Sequence, residues 1–367
     1  GVLQHQNKEF YMKVLIVGTS HKPPKFFDEL NAGRRYRLEY LDLSDYLGNA
    51  TVVDYDPPWM HDHRSIRSLE QKTHMDFYWS WKIARMVDQQ GYDLVISMSE
   101  RAAVPLGLTL DRRVRQIAIL LNGLSPKWLN VIRLLGVHRR WDRIIVYSRS
   151  EAEALRCVLR LKPNKVVTVL NYVDLNFFDP AQVEPSTNVE RPFIMSQGVA
   201  KRDYPTLIEA MRLLPHIECH ISAVSAWDMY AGSRDGQPLP DNVIMKDYNH
   251  PMVIREAMLR CRFMVIPVQP DVGMWCSGST SVMQGQAMGK PVIVTYLPGI
   301  AEYVVNSETG FVVEGHNPPR LAEKIDYLWK NPDIADEMGR KAREWVHKNF
   351  SLQAWIEHVA QVVKELE

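Results

Sequence analysis

The sequence has few cysteines and almost no net charge. Its 367 residues include 4 cysteines, too widely scattered for a disulfide framework or a CxxC metal site, as is typical of a reducing compartment. The 44 basic and 43 acidic residues give a net charge of +1, which argues against a nucleic-acid-binding protein. With 46% hydrophobic and 24% charged residues the composition is otherwise ordinary, and the length is sufficient for two hydrophobic cores.

Long apolar runs and secretory signals are also missing. No run approaches the roughly 18 apolar residues that a membrane-spanning helix needs, so we expect a cytoplasmic protein, at most peripheral to the inner face of a membrane. Residues 1–11 precede the first methionine, Met12, and are left out of the fold prediction. No GxGxxG motif follows the first predicted strand, residues 13–17, which argues against a dinucleotide-binding oxidoreductase.

Short runs of β-branched residues alternate with helical patterns, such as residues 77–90 and 150–161. The strands predicted in the first half are residues 13–17, 38–43, 94–97, 117–121, 144–148 and 166–170. The second series begins at Phe193 and continues with residues 219–224, 243–246, 263–267 and 291–295. Continuous buried strands that alternate with helices are typical of parallel α/β sheets.

A cluster of proline, serine, threonine and asparagine at residues 179–192 separates the two series and predicts a linker. The sequence therefore predicts two doubly wound α/β domains, residues 12–178 and residues 192–345. Residues 346–367 form a predicted C-terminal helix that we expect to pack back toward the first domain.

Small and hydroxyl residues precede a predicted helix in the last third of the chain. They are Ser277, Gly278, Ser279, Thr280 and Ser281. The first amides of a helix lack intrahelical partners and the helix dipole is positive there, so this segment can bind an anion such as phosphate. The alternative is an ordinary N-terminal cap of a helix rich in serine and threonine.

A second such element lies about 80 residues upstream, where an apolar strand leads to Gly198, two adjacent cations, Lys201 and Arg202, and a helix. The order of these two elements resembles the C-terminal domain of the retaining GT-B glycosyltransferases of family 4. That family's helix typically reads EAMAxGxPV, whereas residues 284–292 read QGQAMGKPV, and PGIAE at residues 298–302 matches the following turn. The resemblance implies two Rossmann-like domains facing across a cleft, with the nucleotide-sugar donor bound by the second.

The resemblance also implies roles for the two cations. Loss of the nucleotide leaves negative charge on the diphosphate, and Lys201 and Arg202 are the candidates to stabilise it. Arg202 occupies the family's usual lysine position, while Val199 stands where the family has arginine, so Lys201 can substitute for it. The alternative is that one of the two cations is merely solvated.

The chain departs from the family at a pair of glutamates spaced E-x7-E, where it has Cys276 and Gln284. Gln284 can hydrogen-bond a ribose diol, but as a neutral group. Cys276 cannot replace a carboxylate as the hydrogen-bond acceptor for a sugar hydroxyl. The alternative interpretation is that Cys276 is a thiol packed in the core. Tyr248 stands where relatives hold the base. The donor site is therefore either tuned to an unusual sugar or partly degenerate.

The resemblance places the acceptor on the N-terminal domain. Ser20 and His21 lie in the loop after the first strand, and Asn122 stands at a strand end where many relatives have histidine. These three residues are the predicted acceptor side.

Glu100 follows another predicted strand and is a candidate to orient an acceptor hydroxyl or to act as a base. The alternative is a salt bridge to Arg101 or Arg115.

Two patterns suggest metal sites but stand in poor contexts. Asp54 and Asp56 form the D-x-D of GT-A glycosyltransferases, yet two prolines follow them, which favours a turn. His61, His63 and His74 lack the helical spacing of zinc motifs. We predict no metal and no other cofactor.

Residues 127–141 form a basic amphipathic stretch with two tryptophans. Such a stretch can lie on an anionic membrane, as in glycolipid-making relatives. Alternatively, its apolar face packs against the N-terminal sheet.

Two functions remain. The first is a metal-independent retaining glycosyltransferase that moves a hexose from a UDP- or GDP-sugar to a hydroxyl of a carbohydrate, lipid-linked or small-molecule acceptor. The second is a catalytically degenerate relative, either a nucleotide-sugar sensor or a scaffold subunit, which the replacements at Cys276 and Gln284 favour.

Overall fold

The computed structural model describes residues 10–19, 22, 24–54, 62–184, 191–198, 201–222, 238–248, 250–270, 273 and 275–367. The chain forms two compact units. The first contains the chain up to Phe26, Arg37–Val169 and Trp355–Glu367, and the second contains Phe27–Tyr36 and Leu170–Ala354.

Six parallel strands form the sheet of the first unit in the order β2-β1-β3-β4-β5-β6. Their bounds are Val14–Val17 (β1), Ala50–Val53 (β2), Leu94–Ser97 (β3), Arg115–Ile119 (β4), Arg143–Val146 (β5) and Val166–Thr168 (β6). All residues of β1 and β3 are buried, as expected for central strands covered by helices on both faces.

The sheet of the second unit also has six parallel strands, in the order β12-β11-β10-β7-β8-β9. They are Phe193–Gln197 (β7), Glu218–Ser222 (β8), Val243–Met245 (β9), Met264–Ile266 (β10), Val292–Thr295 (β11) and Gly310–Val313 (β12). The strand order reverses between β7 and β10. Ligands of doubly wound sheets bind outside the carboxyl ends of the strands at such a reversal.

Helix α1, Phe26–Asn31, belongs to the second unit except for Phe26. The helices of the first unit are Glu39–Leu47 (α2), Arg64–Thr73 (α3), Phe77–Gln90 (α4), Glu100–Thr109 (α5), Pro126–Leu135 (α6) and Arg149–Leu159 (α7). Those that follow are Tyr204–Arg212 (α8), Pro251–Arg260 (α9), Ser279–Ala287 (α10), Pro318–Lys330 (α11), Pro332–Asn349 (α12) and Leu352–Lys364 (α13), of which α13 joins the first unit from Trp355 onward.

Each face of the second sheet has its own hydrophobic core. Phe193 and Met195 pack into one core with Met264, whereas Ile194 packs into the other with Val265. This alternation follows from the two-residue period of a strand. It fixes β7 beside β10 and so positions the loops that follow both strands.

The prediction of two doubly wound α/β sheets is confirmed, but the strand predicted at residues 38–43 is wrong. This segment begins helix α2, in which Tyr40, Leu43 and Leu47 are buried. Their spacing of three and four residues places them on one helical face.

Candidate functional site

Gly198 begins the turn that follows β7 at the strand-order reversal of the second sheet. Its backbone has φ +99°, a conformation that favours glycine. The hydroxyl of Tyr204 donates a hydrogen bond of 2.6 Å to the Gly198 carbonyl. Burial raises the pKa of Tyr204 to about 12, so this hydroxyl keeps its proton and remains a donor at neutral pH.

The side chain of Arg202 folds back over this glycine. Its Nε donates to the Gln197 carbonyl at 2.9 Å, and its Nη2 donates to Ser281 Oγ at 3.0 Å. A Cβ at Gly198 would collide with the guanidinium, so glycine is required sterically as well. Both acceptors are uncharged, so these two bonds orient the positive charge without neutralising it.

Arg202 is only 5% exposed, and burial lowers the pKa of its guanidinium. The ordinary value lies so far above neutrality that the group stays charged. The structure therefore holds a fixed cation at the carboxyl edge of β7.

Helix α10 begins beside this cation. Its N-cap, Gly278, has φ +90°, and a Cβ there would lie 3.0 Å from Ile266 Cγ2 and 3.2 Å from Val268 Cγ2. Glycine thus lets the first turn of α10 pack directly against the end of β10, close to Arg202. The positive end of the helix dipole and the guanidinium act in the same place.

The hydroxyls predicted to form an anion cradle have partners within the second unit. Asn171 Nδ2 donates to Ser279 Oγ at 3.1 Å and to Thr280 Oγ1 at 3.2 Å, and Ser281 Oγ accepts from Arg202. Ser277 is 8% exposed. Accepting these bonds leaves the hydroxyl hydrogens of Ser279 and Thr280 able to donate to an anion.

Lys201 and Arg202 have different environments. Lys201 is exposed, with a left-handed backbone at φ +54°, and its carbonyl accepts from the Gln269 amide at 2.9 Å. Of the predicted pair, Lys201 is therefore the solvated cation and Arg202 the buried one.

Gln284 and Cys276, which stand where the family has a pair of glutamates, both contact other residues of the second unit. Gln284 is half-buried, and its Oε1 accepts from Gln197 Nε2 at 2.7 Å. Cys276 is half-buried and packs against the core on one face of the sheet, as the alternative of a core thiol requires. All four cysteines are free, as expected.

Tyr248 is half-buried after the carboxyl end of β9, and its hydroxyl lies 3.0 Å from His220 Nδ1. The sequence reasoning did not find His220, Asn171 or Gln197. Asn171 follows the carboxyl end of β6, and Gln197 ends β7. A polar residue at the carboxyl end of a predicted strand is the sequence signal that could have identified both.

In the first unit, polar residues after β1 and β3 surround a cavity of about 70 Å³. Its lining includes Gly18, Thr19, Ser99 and Arg101. Arg101 is held by Asp76 at 2.7 Å. The predicted acceptor residues Ser20 and His21 lie outside the described residues.

Glu100 is buried, with 1% exposure, and its two carboxylate oxygens hold the loop after β4. Oε2 accepts from the Leu121 amide at 2.9 Å and Oε1 from Asn122 Nδ2 at 3.0 Å. The alternative of a salt bridge to Arg101 or Arg115 is therefore wrong, because the carboxylate and the Arg101 guanidinium point to different partners. Glu100 instead positions Asn122.

Two family models match the chain over most of its length. "Glycosyltransferase Family 4" matches residues 14–177, and "Glycosyl transferases group 1" matches residues 182–345. The chain belongs to the family 4 glycosyltransferases of the GT-B fold.

Curated relatives resemble this glycosyltransferase over shorter segments. Trehalose synthase of Pyrococcus horikoshii is 38% identical over 86 residues, which cover 23% of this chain and 20% of that protein. An uncharacterized glycosyltransferase of Methanocaldococcus jannaschii is 33% identical over 110 residues, which cover 30% and 29% of the two chains. The matches thus span less than a third of either relative.

Solved structures share the GT-B fold over nearly the whole glycosyltransferase chain. Anabaena Alr3699/HepE superposes with a TM-score of 0.74 at 17% identity, covering 97% of this chain and 100% of that one. WaaG, a glycosyltransferase involved in lipopolysaccharide biosynthesis, superposes with a TM-score of 0.64 at 12% identity, covering 95% and 99%.

The D-x-D pattern of this glycosyltransferase is described only at its first aspartate. Asp54 forms an ion pair with Lys22, while Asp56 and His61 lie outside the described residues. His63 packs against Tyr78 with the two rings tilted by 49° and their centroids 4.9 Å apart. Among the described residues, no group of three or more His, Cys, Asp or Glu side chains could hold a metal ion.

The amphipathic stretch at residues 127–141 packs largely into the first core. Trp128 is 6% exposed and Trp141 is 1% exposed, so the tryptophans do not lie at an interface. Leu134 is 86% exposed. Within the described ranges, no helix is both long enough and apolar enough to cross a membrane.

We predict that Glu100→Gln destabilises the glycosyltransferase. A glutamine oxygen can accept from either Leu121 or Asn122, and its amide group would face the other donor. A buried donor left unsatisfied costs about 1–3 kcal/mol. The urea unfolding midpoint should fall, whereas Glu153→Gln, at an exposed position of the same unit, should leave it unchanged. Unchanged stability combined with lost turnover would instead make Glu100 a catalytic base.

Proposed function

We propose that the protein transfers a hexose from a UDP- or GDP-sugar to an acceptor hydroxyl, with retention of configuration at the anomeric carbon. The observation that carries this proposal is the buried Arg202 guanidinium beside the first turn of α10. Breaking the anomeric C–O bond leaves negative charge on the diphosphate, and oriented donors at that place stabilise the transition state.

The donor's other parts fit the surrounding residues. Gln197 Nε2 donates a hydrogen bond to Gln284 Oε1, so the amide hydrogens of Gln284 are left to donate to a ribose hydroxyl. Tyr248, after the edge strand β9, is proposed to contact the base. Lys201 is exposed and adjacent to Arg202 in the chain, and is proposed to complement its charge from the solvent side.

We propose that the reaction needs no divalent metal. Arg202, Lys201 and the first amides of α10 supply positive charge where GT-A enzymes place a cation. The ion pair between Asp54 and Lys22 supports this, because the D-x-D aspartate already has a cationic partner.

The relatives support a nucleotide-sugar donor and a hydroxyl acceptor. The Anabaena Alr3699/HepE structure contains UDP-glucose, and a TarM structure of Staphylococcus aureus contains UDP with fondaparinux and α-GlcNAc-glycerol. By analogy, the acceptor here is a carbohydrate, a lipid-linked sugar or a small molecule. We propose that Asn122, with Ser20 and His21, contributes to its binding.

The four free cysteines fit a reducing cytoplasm. Any peripheral membrane contact through residues 127–141 would depend on the exposed Leu134 and Leu135, since both tryptophans are buried.

Incubation of the 367-residue protein with a panel of UDP- and GDP-sugars tests the proposal. We expect release of one nucleoside diphosphate, faster with a suitable acceptor, and unchanged in excess EDTA. Complete loss in EDTA with recovery in Mn²⁺ or Mg²⁺ would contradict metal independence. Tight donor binding without turnover would favour the nucleotide-sugar sensor that Cys276 and Gln284 suggest.

We predict that Arg202→Lys lowers kcat by about 10²- to 10³-fold, the usual effect of losing one such donor. Lysine keeps the charge but cannot reach the Gln197 carbonyl and Ser281 Oγ together in the same geometry. Arg212→Lys, on the neighbouring helix, is the matched control and should leave kcat unchanged. Equal turnover in both variants would remove Arg202 from the mechanism.

A further inference from the structure

His220 is a buried ionisable residue in the middle of β8 that the proposed chemistry does not use. It is 2% exposed and stacks on Phe193, with ring centroids 4.0 Å apart. Its partner in the adjacent strand is Met195. If this position served packing alone, an apolar side chain would be sufficient. A buried imidazole is unfavourable unless its nitrogens are hydrogen-bonded.

Both ring nitrogens of His220 have partners. Nε2 lies 2.6 Å from Glu218 Oε1, and Nδ1 lies 3.0 Å from the Tyr248 hydroxyl. A carboxylate can only accept, so Nε2 carries the hydrogen. When the ring is neutral with its hydrogen on Nε2, Nδ1 is an acceptor and the Tyr248 hydroxyl donates to it. A directed chain of hydrogen bonds therefore runs from Tyr248 through His220 to Glu218.

These hydrogen bonds link the two ends of the strands of the second sheet. Glu218 opens β8, whereas Tyr248 follows the carboxyl end of β9. The carboxyl ends of β7, β8 and β9 lie along one edge, since the three strands are parallel neighbours. Tyr248 is thus on the edge of the sheet that also carries Gly198 and Arg202.

We propose that His220 is a positioning residue that fixes the ring of Tyr248 as a platform for the nucleobase of the donor. This inference rests on the proposed function. The hydroxyl hydrogen of Tyr248 is committed to His220, so the residue presents its ring and not a hydrogen-bond donor. Stacking on an aromatic ring accepts any base, because every base has a π face.

A double-mutant cycle tests the proposal on the full chain. His220→Phe keeps a ring against Phe193 but removes both hydrogen bonds, and Tyr248→Phe removes only the hydroxyl. We expect each variant to raise the Kd of UDP or GDP, whichever binds, by about five- to tenfold with little change in kcat. The Kd of the double variant should rise no further than that of the single variant with the larger rise, because both changes remove the same bond between His220 and Tyr248.

Two further variants exclude a purely structural role. Glutamine can donate and accept at once, so His220→Gln should restore the Kd to within about twofold of wild type. His216→Phe, at an exposed histidine preceding β8, is the matched control and should leave the Kd unchanged.

Losses that multiply in the double variant would show that His220 acts through packing, and would overturn the inference. A wild-type Kd in His220→Phe would do the same while leaving the proposed function intact. Failure of the wild-type protein to bind either UDP or GDP would overturn the proposed function, and this inference with it.

Discussion

The buried guanidinium of Arg202 is the contact on which the candidate donor site depends. It joins the end of β7, through the Gln197 carbonyl, to the first turn of α10, through Ser281. Gly198 makes this approach possible, since a Cβ there would collide with the guanidinium, and Gly278 lets the first turn of α10 pack against Ile266 and Val268 at the end of β10. Desolvating a charge is unfavourable, and the hydrogen bonds offset part of that cost. The result is a cation held in place before any anion arrives, which is the arrangement that electrostatic catalysis requires.

The two units use their strand ends differently. At the reversal between β7 and β10, the polar groups converge on one place in the second unit. In the first unit, the charged groups near the ends of β3 and β4 stabilise the fold instead: Arg101 binds Asp76, and Glu100 holds the loop of Leu121 and Asn122. Of these residues, Asn122 is the one that we assign to the acceptor.

The sequence predicted most central strands because they are continuous apolar runs, but the edge strands β2 and β12 were missed. Strand β12 begins at Gly310, which weakens the pattern and is needed because a Cβ would collide with the Val292 carbonyl. Gly198 and the two cations were identifiable from the strand, turn and helix order. The pairing of Asn171 with Ser279 was not, because the residues are 108 positions apart and meet only in the folded chain. Neighbouring Glu100 and Arg101 were paired wrongly, since sequence adjacency does not show side-chain direction.

A crystal structure of the protein with the nucleoside diphosphate of its donor tests the central claim most directly. We predict diphosphate oxygens within hydrogen-bond distance of the Arg202 guanidinium and the first amides of α10, with the base against Tyr248 and no metal between the phosphates and Asp54. A diphosphate bound away from Arg202, or bridged to Asp54 by a divalent ion, would contradict it.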